Sequence, residues 1–270
     1  MPTVNSVTKA MDILEIFTSD GPWLSLGDIA ARLGFPRSTA HALLSTLAAR
    51  GYIEKSPEGR YALGTAVIPL TQAVRVNVEL RDRAAPLLRE LATESKESVY
   101  LTVLDGDLVL YIYAIETPQR LLARTAVGDR VAPHCVAVGK AMLSVLPEAR
   151  VREIVGRSGM AQYTPNTITD LGNLLQEIEA TRRRGYALDN QEHEDHTCCV
   201  AAPILGPQGT LVGACSVSGG TDLCIGEASN RVVETALQIS RLMGYIPSRG
   251  RAASMTLAVT SEGGSQDGTA

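Results

Sequence analysis

The segment Leu24–Gly51 constrains the fold more than any other, because it predicts two short helices joined by a tight turn. Ser25 and Asp28 have the spacing of a capping box, which predicts the start of the first helix. Gly34 predicts its end, since glycine adopts a left-handed φ at little cost. Pro36 fits the first position of the second helix. Apolar residues at helical spacing predict the inner face of that helix: Ala40, Leu43, Leu44 and Leu47.

The outer face of the second helix has small and polar side chains, which suit the major groove of DNA. The candidate base-contacting residues are Arg37, Ser38, Thr39, His41, Ala42 and Ser45. The two helices therefore predict a helix-turn-helix motif whose second helix reads the DNA sequence. An ordinary αα-hairpin in a helical domain is the alternative.

A β-hairpin is predicted directly after the second helix. Residues 52–55 and 60–63 have strand character, and Ser56-Pro-Glu-Gly59 between them is typical of a turn. A hairpin at this place is the wing of a winged helix. Lys55 and Arg60 flank its tip, where we expect contacts with DNA phosphates.

The overall composition limits the classes of protein. A length of 270 residues suits two modest domains, and a net charge of −4 requires any DNA contact to come from a local patch, doubled by dimerisation. Aromatic residues make up 4%, too few for the stacking platforms of single-strand binders. No apolar run approaches the roughly 20 residues that span a membrane. We expect a cytoplasmic protein with reduced thiols, since no export signal precedes its five cysteines.

The chain divides into four predicted parts. Residues 1–65 form the winged helix-turn-helix domain, and residues 66–81 form a linker helix, although Val74, Val76, Val78 and Leu80 alternate as in a strand. A clearer helix is predicted to start at Asp82. Residues 82–246 then form an α+β domain, a sheet with helices packed on it that is large enough for a small-molecule pocket. The polar, Gly/Ser-rich tail 247–270 predicts disorder.

Several motifs in order resemble the IclR family of bacterial transcriptional regulators, from about Asn5 to Tyr245. The N-terminal motifs are SVTKAMDILEIF, LSLGDIAARLGFPRSTAHALLSTLAARGYI and RYALG. The C-terminal motifs are VGDRVAPHCVAVGKAMLS, YTPNTITD, RRRGYALDNQEHEDHTCCVAAPI and VGACSVSGG. The resemblance implies a winged helix, a linker helix and a GAF-like effector domain. It also implies homodimers, often paired into tetramers on double-stranded operator DNA, that repress or activate operons for the catabolism of small organic and aromatic acids.

Two residues depart from the family pattern. The family usually has an arginine in the reader helix where this chain has Ala42, and arginine is the commonest specific contact to guanine. The family also tends to have glycine at the position of His196, so we expect a bulky side chain there to reshape the rim of the pocket.

The resemblance places an effector pocket on the predicted strands of the second domain. Ser216 and Ser218 alternate on one strand, so both hydroxyls face the same side. Hydroxyls and helix-start amides suit a carboxylate. The candidate effector-binding residues are Arg124, His134, Ala137, Val138, Gly139, Asp189, Thr197, Cys199, Ser216 and Ser218. The alternative is that such serines are satisfied by backbone or water.

The segment His193–Cys199, HEDHTCC, supports a different hypothesis, a metal- or redox-sensing regulator. Its possible ligands include His193, His196, Cys198 and Cys199. Adjacent cysteines on a strand point to opposite faces, which weighs against a shared ion, so we assign no metal and no cofactor. A third hypothesis, an enzyme with an accessory DNA-binding domain, lacks support because phosphate-loop, dinucleotide-binding and G-x-S-x-G motifs are absent from the sequence.

Overall fold

The computed structural model describes residues 4–18, 22–73, 78–116, 127–223 and 225–247. The chain forms two compact units that divide between Val78 and Glu79. Several sequence-based predictions fall wholly or partly outside the described residues: Arg124, residues 74–77 of the predicted linker helix and residues 248–270 of the predicted tail.

The N-terminal unit is a winged helix-turn-helix. Its described elements are α1 (Asn5–Glu15), β1 (Leu24–Ser25), α2 (Leu26–Leu33), α3 (Arg37–Ala49), β2 (Ile53–Lys55), β3 (Arg60–Leu63) and α4 (Val67–Ala73). The strands form an antiparallel sheet in the order β1-β3-β2. The predicted wing is therefore present, and β1, which was not predicted, extends it.

Local signals set the boundaries of the helix-turn-helix. The Ser25 hydroxyl accepts from the Asp28 amide at 3.2 Å, and the Asp28 carboxylate accepts from the Ser25 amide at 3.1 Å, so the predicted capping box forms. Gly34 ends α2 with φ 66°. Pro36 precedes α3 rather than occupying its first turn, because its ψ of 136° is extended. The turn therefore fixes where the second helix starts.

The predicted linker helix 66–81 has two described parts. One is α4, and the other is the start of α5 (Val78–Ser95). The prediction that a clearer helix begins at Asp82, after the linker, was wrong, because α5 already begins at Val78. Leu80 is buried on that helix, so its alternation with Val78 does not reflect a strand. Residues 74–77 lie outside the described residues, and a continuous helix over 66–81 stays a prediction.

The C-terminal unit is an antiparallel sheet covered by helices on both faces. After α5 its described elements are β4 (Ser98–Asp105), β5 (Leu108–Ile115), β6 (Arg130–Val131), α6 (Ala137–Leu143), α7 (Glu148–Ser158), α8 (Leu171–Arg184), β7 (Ala187–Asn190), β8 (Cys198–Leu205), β9 (Leu211–Gly219) and α9 (Ile225–Leu242). The strand order is β6-β5-β4-β9-β8-β7. This is the predicted α+β, GAF-like architecture.

The two faces of this sheet have separate hydrophobic cores. On one face, α5 and α9 pack against alternate strand residues such as Leu101 and Val217. On the other face, α6 packs against residues such as Tyr100 and Ala201. Helices α7 and α8 form a further cluster beside the end of α6. None of the described helices is long and apolar enough to cross a membrane.

Candidate nucleic-acid interface and ligand cavity

Packing of α3 determines which of its side chains reach solvent. Ala40 and Leu44 are fully buried in the core of the N-terminal unit. Among the candidate DNA-contacting residues on this helix, Thr39 is half-buried and the others are exposed: Arg37, Ser38, His41, Ala42 and Ser45. The helix therefore presents a polar surface of small side chains that a major groove accommodates.

The wing carries the two predicted phosphate-contacting cations. The Lys55 ammonium is exposed and lies 5.5 Å from the centroid of the Tyr61 ring. The Arg60 guanidinium is exposed and donates to the Trp23 carbonyl at 3.1 Å, which links β3 to the segment before β1. Arg60 thus also stabilises the wing, a role that sequence reasoning did not find.

The C-terminal unit contains an open cavity between the sheet and the start of α6, whose roughly 450 Å³ of empty space includes its solvent-filled mouth. The lining residues are Tyr100, Tyr111, Val136, Ala137, Val138, Asp189, His193, Glu194, Thr197, Cys199, Ser216 and Ser218.

Strand register explains why distant residues meet in this cavity. Asp189 pairs with Cys199, and Cys199 pairs with Ser218, so three neighbouring strands present side chains in one row. Ser216 pairs with Tyr100 on the other side of β9. Because side chains alternate across a strand, all of these face α6.

Two tyrosines form an aromatic wall. The rings of Tyr100 and Tyr111 are perpendicular, with centroids 5.6 Å apart. The Tyr100 hydroxyl is buried, and burial raises the pKa of Tyr100 to about 12. Tyr100 therefore remains protonated at neutral pH, with a hydroxyl that can both donate and accept a hydrogen bond.

Asp189 places a carboxyl group in the wall of the cavity. Its Oδ1 accepts from the Glu192 amide at 2.8 Å. Burial raises the pKa of Asp189 to about 7, with the like charge of Glu192 adding to the effect. The group is therefore both protonated and ionised in comparable amounts near neutral pH, and it can accept from or donate to a ligand.

Two of the predicted effector-binding residues do not line the cavity. His134 is fully buried, and its Nε2 donates to the Ala161 carbonyl at 3.0 Å. Burial lowers the pKa of His134, which disfavours a cationic imidazolium at this position. Gly139 lies on α6 against the preceding loop, where a Cβ would be 2.3 Å from the Pro133 carbonyl oxygen. Both residues shape the loop before α6 instead.

Sequence reasoning missed the two tyrosines, Val136 and Glu194 as lining residues, and it named His193 only as a possible metal ligand under the alternative hypothesis. The ring of His193 lies 5.0 Å from that of Tyr163, and burial lowers the pKa of His193. The pairing of β4 with β9 identifies Tyr100 as a lining residue, since Tyr100 is the register partner of Ser216.

The predicted effect of His196 on the pocket rim is not seen. His196 is exposed and does not line the cavity. Its φ is 63°, in the left-handed region that favours glycine, and its amide donates to Gln191 Oε1 at 3.1 Å. The departure from glycine therefore concerns backbone conformation in the β7–β8 turn.

The geometry does not support the metal-sensing alternative. Within the described parts of the chain, no three His, Cys, Asp or Glu side chains come together in an arrangement that suits an ion. Cys198 Sγ lies 3.5 Å from Asn190 Oδ1, whereas Cys199 Sγ lies in the cavity 3.1 Å from Ser218 Oγ. The adjacent thiols thus point to opposite faces of the sheet.

Comparisons with known proteins agree with this architecture. Residues 6–57 match the model of the IclR helix-turn-helix domain, and residues 72–243 match the model described as bacterial transcriptional regulator IclR C-terminal. The regulator XynR of Escherichia coli is 32% identical over 91% of this chain and 99% of its own length. These families and relatives are transcriptional regulators rather than enzymes.

Solved structures are similar along nearly the whole chain. The crystal structure of Thermotoga maritima IclR is 31% identical, with a TM-score of 0.76 over 89% of this chain and 99% of that one. An IclR homologue from Microbacterium hydrocarbonoxydans, solved in complex with 4-hydroxybenzoate, has a TM-score of 0.78 and 23% identity over 88% of this chain and 98% of that one. The chain belongs to the IclR family of bacterial transcriptional regulators and combines its DNA-binding helix-turn-helix with its C-terminal effector domain.

Proposed function

We propose that this regulator binds a pseudo-palindromic operator as a homodimer, and that a small organic or aromatic acid in the cavity of the C-terminal unit controls this binding. The observation that carries the proposal is the cavity itself, with its aromatic wall, its row of hydroxyls and its buried carboxyl group. A ligand shifts the dimer between arrangements only by favouring one of them.

The DNA half of the proposal uses the exposed surface of α3 and the wing. Arg37, Ser38 and His41 are suited to base edges in the major groove, while Lys55 and Arg60 are suited to phosphates. Ser45 and Thr39 flank the base-facing turn. Because the chain as a whole is acidic, two copies of this small basic surface are needed for tight binding. The proposed site of action is the cytoplasm, where bacterial operator DNA lies.

The residues that line the cavity favour a phenolic acid as the ligand. A benzene ring suits the tyrosine wall, and a phenolic hydroxyl is a partner for Asp189. The hydroxyls of Ser216 and Ser218 and the amides at Ala137 and Val138 are donors suited to a carboxylate. The bound 4-hydroxybenzoate of the Microbacterium homologue is consistent with this class.

The first test is fluorescence anisotropy of the protein on the DNA upstream of its own gene, at two salt concentrations. We expect tight, salt-sensitive binding that 4-hydroxybenzoate shifts, while 4-hydroxybenzyl alcohol, which lacks the carboxylate, has a weaker effect. Binding to DNA that no organic acid changes would overturn the ligand half, and absence of specific binding would overturn the DNA half.

Variants connect the response to the cavity. Ser218→Ala is expected to weaken the ligand response about tenfold, because it removes a donor from the cavity. Ser229→Ala is the matched control, since Ser229 is a buried serine on α9 whose hydroxyl donates to the Gly226 carbonyl outside the cavity. An equal effect of the two substitutions would contradict a binding role for Ser218.

The oligomeric state is measured by analytical ultracentrifugation with and without operator DNA. We expect a dimer that becomes a tetramer on operators with two binding sites. A monomer bound to a half-site would contradict this part of the proposal.

A further inference from the structure

A buried ion pair joins two walls of the cavity. Lys140 lies on α6, and Glu192 lies in the turn between β7 and β8, with Nζ and Oε1 2.5 Å apart. Their side chains are only 1% and 9% exposed, unlike any other ion pair of the described residues. The structure therefore keeps two opposite charges out of water, an arrangement that has a large desolvation cost.

The backbone of Glu192 contacts the cavity carboxyl and a neighbouring segment. Its amide donates to Asp189 Oδ1 at 2.8 Å. Its carbonyl accepts from the Thr167 hydroxyl at 2.6 Å and from the Thr164 hydroxyl at 3.3 Å, both in the segment between α7 and α8. One residue thus connects Asp189, α6 and that segment.

We infer that the Lys140–Glu192 ion pair is a positioning element of the effector cavity, which holds the Glu192 amide against Asp189 and fixes the β7–β8 turn relative to α6. The inference deepens the proposed function, since α6 contributes Ala137 and Val138 to the same cavity. Neither Lys140 nor Glu192 lines the cavity, so the pair acts through Asp189 and the turn rather than on the ligand.

The hydrogen bonding and burial of the pair indicate that it positions the turn and adds little to the stability of the fold. Glu192 Oε2 is buried and has no hydrogen-bond partner among the described residues. Burial also raises the pKa of Glu192, which shows that the site disfavours the charge that the pair requires. Replacing a buried ion pair by neutral groups is often neutral or stabilising, whereas removing one partner leaves an uncompensated charge. A neutral pair is therefore expected to restore stability without restoring the position of the turn.

The test compares Lys140→Met, Glu192→Gln and the double variant in the full-length protein. Hydrogen exchange followed by mass spectrometry is expected to show about tenfold faster exchange in residues 190–193 for all three, with β4 and β9 changed less than about twofold. Urea unfolding is expected to show a loss of stability in each single variant that the double variant largely recovers.

Arg152→Met and Glu148→Gln are the matched controls. Arg152 and Glu148 also form an ion pair between a basic residue and a glutamate, but this pair is exposed on α7. They are expected to leave exchange at 190–193 unchanged. Exchange that stays slow there in Glu192→Gln, or that rises evenly across the whole C-terminal unit, would overturn the inference. A double variant that recovers both stability and slow exchange would overturn it as well.

A ligand measurement separates this inference from the proposed function. If wild-type protein binds 4-hydroxybenzoate in calorimetry, the double variant is expected to bind about tenfold more weakly despite its restored stability. Equal affinity would overturn the positioning role. If wild-type protein does not bind this compound, the proposed ligand class fails, and hydrogen exchange at 190–193 still decides the inference.

Discussion

The thiol sulfur of Cys199 lies 3.1 Å from the hydroxyl oxygen of Ser218, its register partner on the neighbouring strand. Both residues line the cavity. Burial raises the pKa of Cys199 well above its usual value, so at neutral pH the group is a thiol rather than a thiolate. Cys199 therefore presents a neutral thiol to the cavity rather than a nucleophilic thiolate.

This finding predicts slow alkylation. At pH 7.5 Cys199 is expected to react with iodoacetamide more than about tenfold slower than a thiol in the urea-unfolded chain, because thiolate is the reactive form. Mass spectrometry of the peptide that contains residue 199 measures the rate at this site. Rapid modification in the folded protein would contradict the prediction and revive the redox-sensing hypothesis.

Asp189 predicts a defined pH dependence of stability. Its pKa is raised from 3.8 to about 7 in the folded protein, so the folded state retains a proton that the unfolded state has lost between these pH values. Stability from this group is therefore highest below about pH 4 and is lost as pH rises to about 7. Asp189→Asn, which keeps the amide-accepting oxygen, is expected to be more stable than wild type at pH 8 by a few kcal/mol.

Urea unfolding of both proteins at pH 4.5, 6 and 8 measures this difference. The advantage of Asp189→Asn is expected to increase through this series. Asp195→Asn is a useful control for the loss of a carboxylate, since Asp195 is exposed and does not line the cavity. A constant difference between Asp189→Asn and wild type across the series would show that the carboxyl is not perturbed by burial.

The sequence was sufficient for the helix-turn-helix and wing because their signals are local. The spacing of Ser25 and Asp28, the glycine at Gly34 and the turn after Lys55 each act over a few residues. The connection between β4 and β5 is also local, because Asp105-Gly-Asp107 between two apolar runs is typical of a hairpin turn.

The remaining features depend on contacts between distant residues. Lys140 and Glu192 are separated by 52 positions, and no local pattern indicates that they meet. His134 was assigned to the ligand from its chemistry alone, whereas packing directs its ring toward Ala161. Side-chain direction in loops is set by tertiary packing, which the spacing of residues does not encode.

Adding one methyl group at Gly139 is expected to lower the stability of the C-terminal unit strongly. A Cβ at this position would lie 2.3 Å from the Pro133 carbonyl oxygen and 2.5 Å from its Cα, both backbone atoms. Gly139→Ala is therefore expected to destabilise the C-terminal unit by more than about 2 kcal/mol. Gly156→Ala on α7, where a Cβ meets nothing within 4 Å, is expected to be neutral or stabilising by up to about 1 kcal/mol. Thermal unfolding of the two variants checks the contrast, and equal midpoints would contradict it.

Lys55 predicts a change in the salt dependence of DNA binding. Because its exposed ammonium is suited to a phosphate, Lys55→Ala is expected to weaken binding to specific and non-specific DNA alike. The slope of log affinity against log salt is expected to fall by about one per subunit. Arg152→Ala on α7 removes an equal charge from the other unit and is expected to leave the slope unchanged. A loss of affinity for one DNA sequence alone would instead assign Lys55 to base recognition.

Replacing Ala42 by arginine is expected to add a base contact at the reader helix α3. It is exposed on α3 beside His41, at a position where the family usually has arginine. Because an arginine there can form a bidentate contact with guanine, Ala42→Arg is expected to favour operators with guanine at one added position by about 1–3 kcal/mol. Selection of bound sequences from a randomised DNA pool, performed in parallel on wild type and variant, measures this preference. Ala42→Lys is the matched control, because it adds the same charge without the two-pronged geometry and is expected to increase affinity with little new preference. An identical sequence preference in wild type and Ala42→Arg would show that this position does not face the bases.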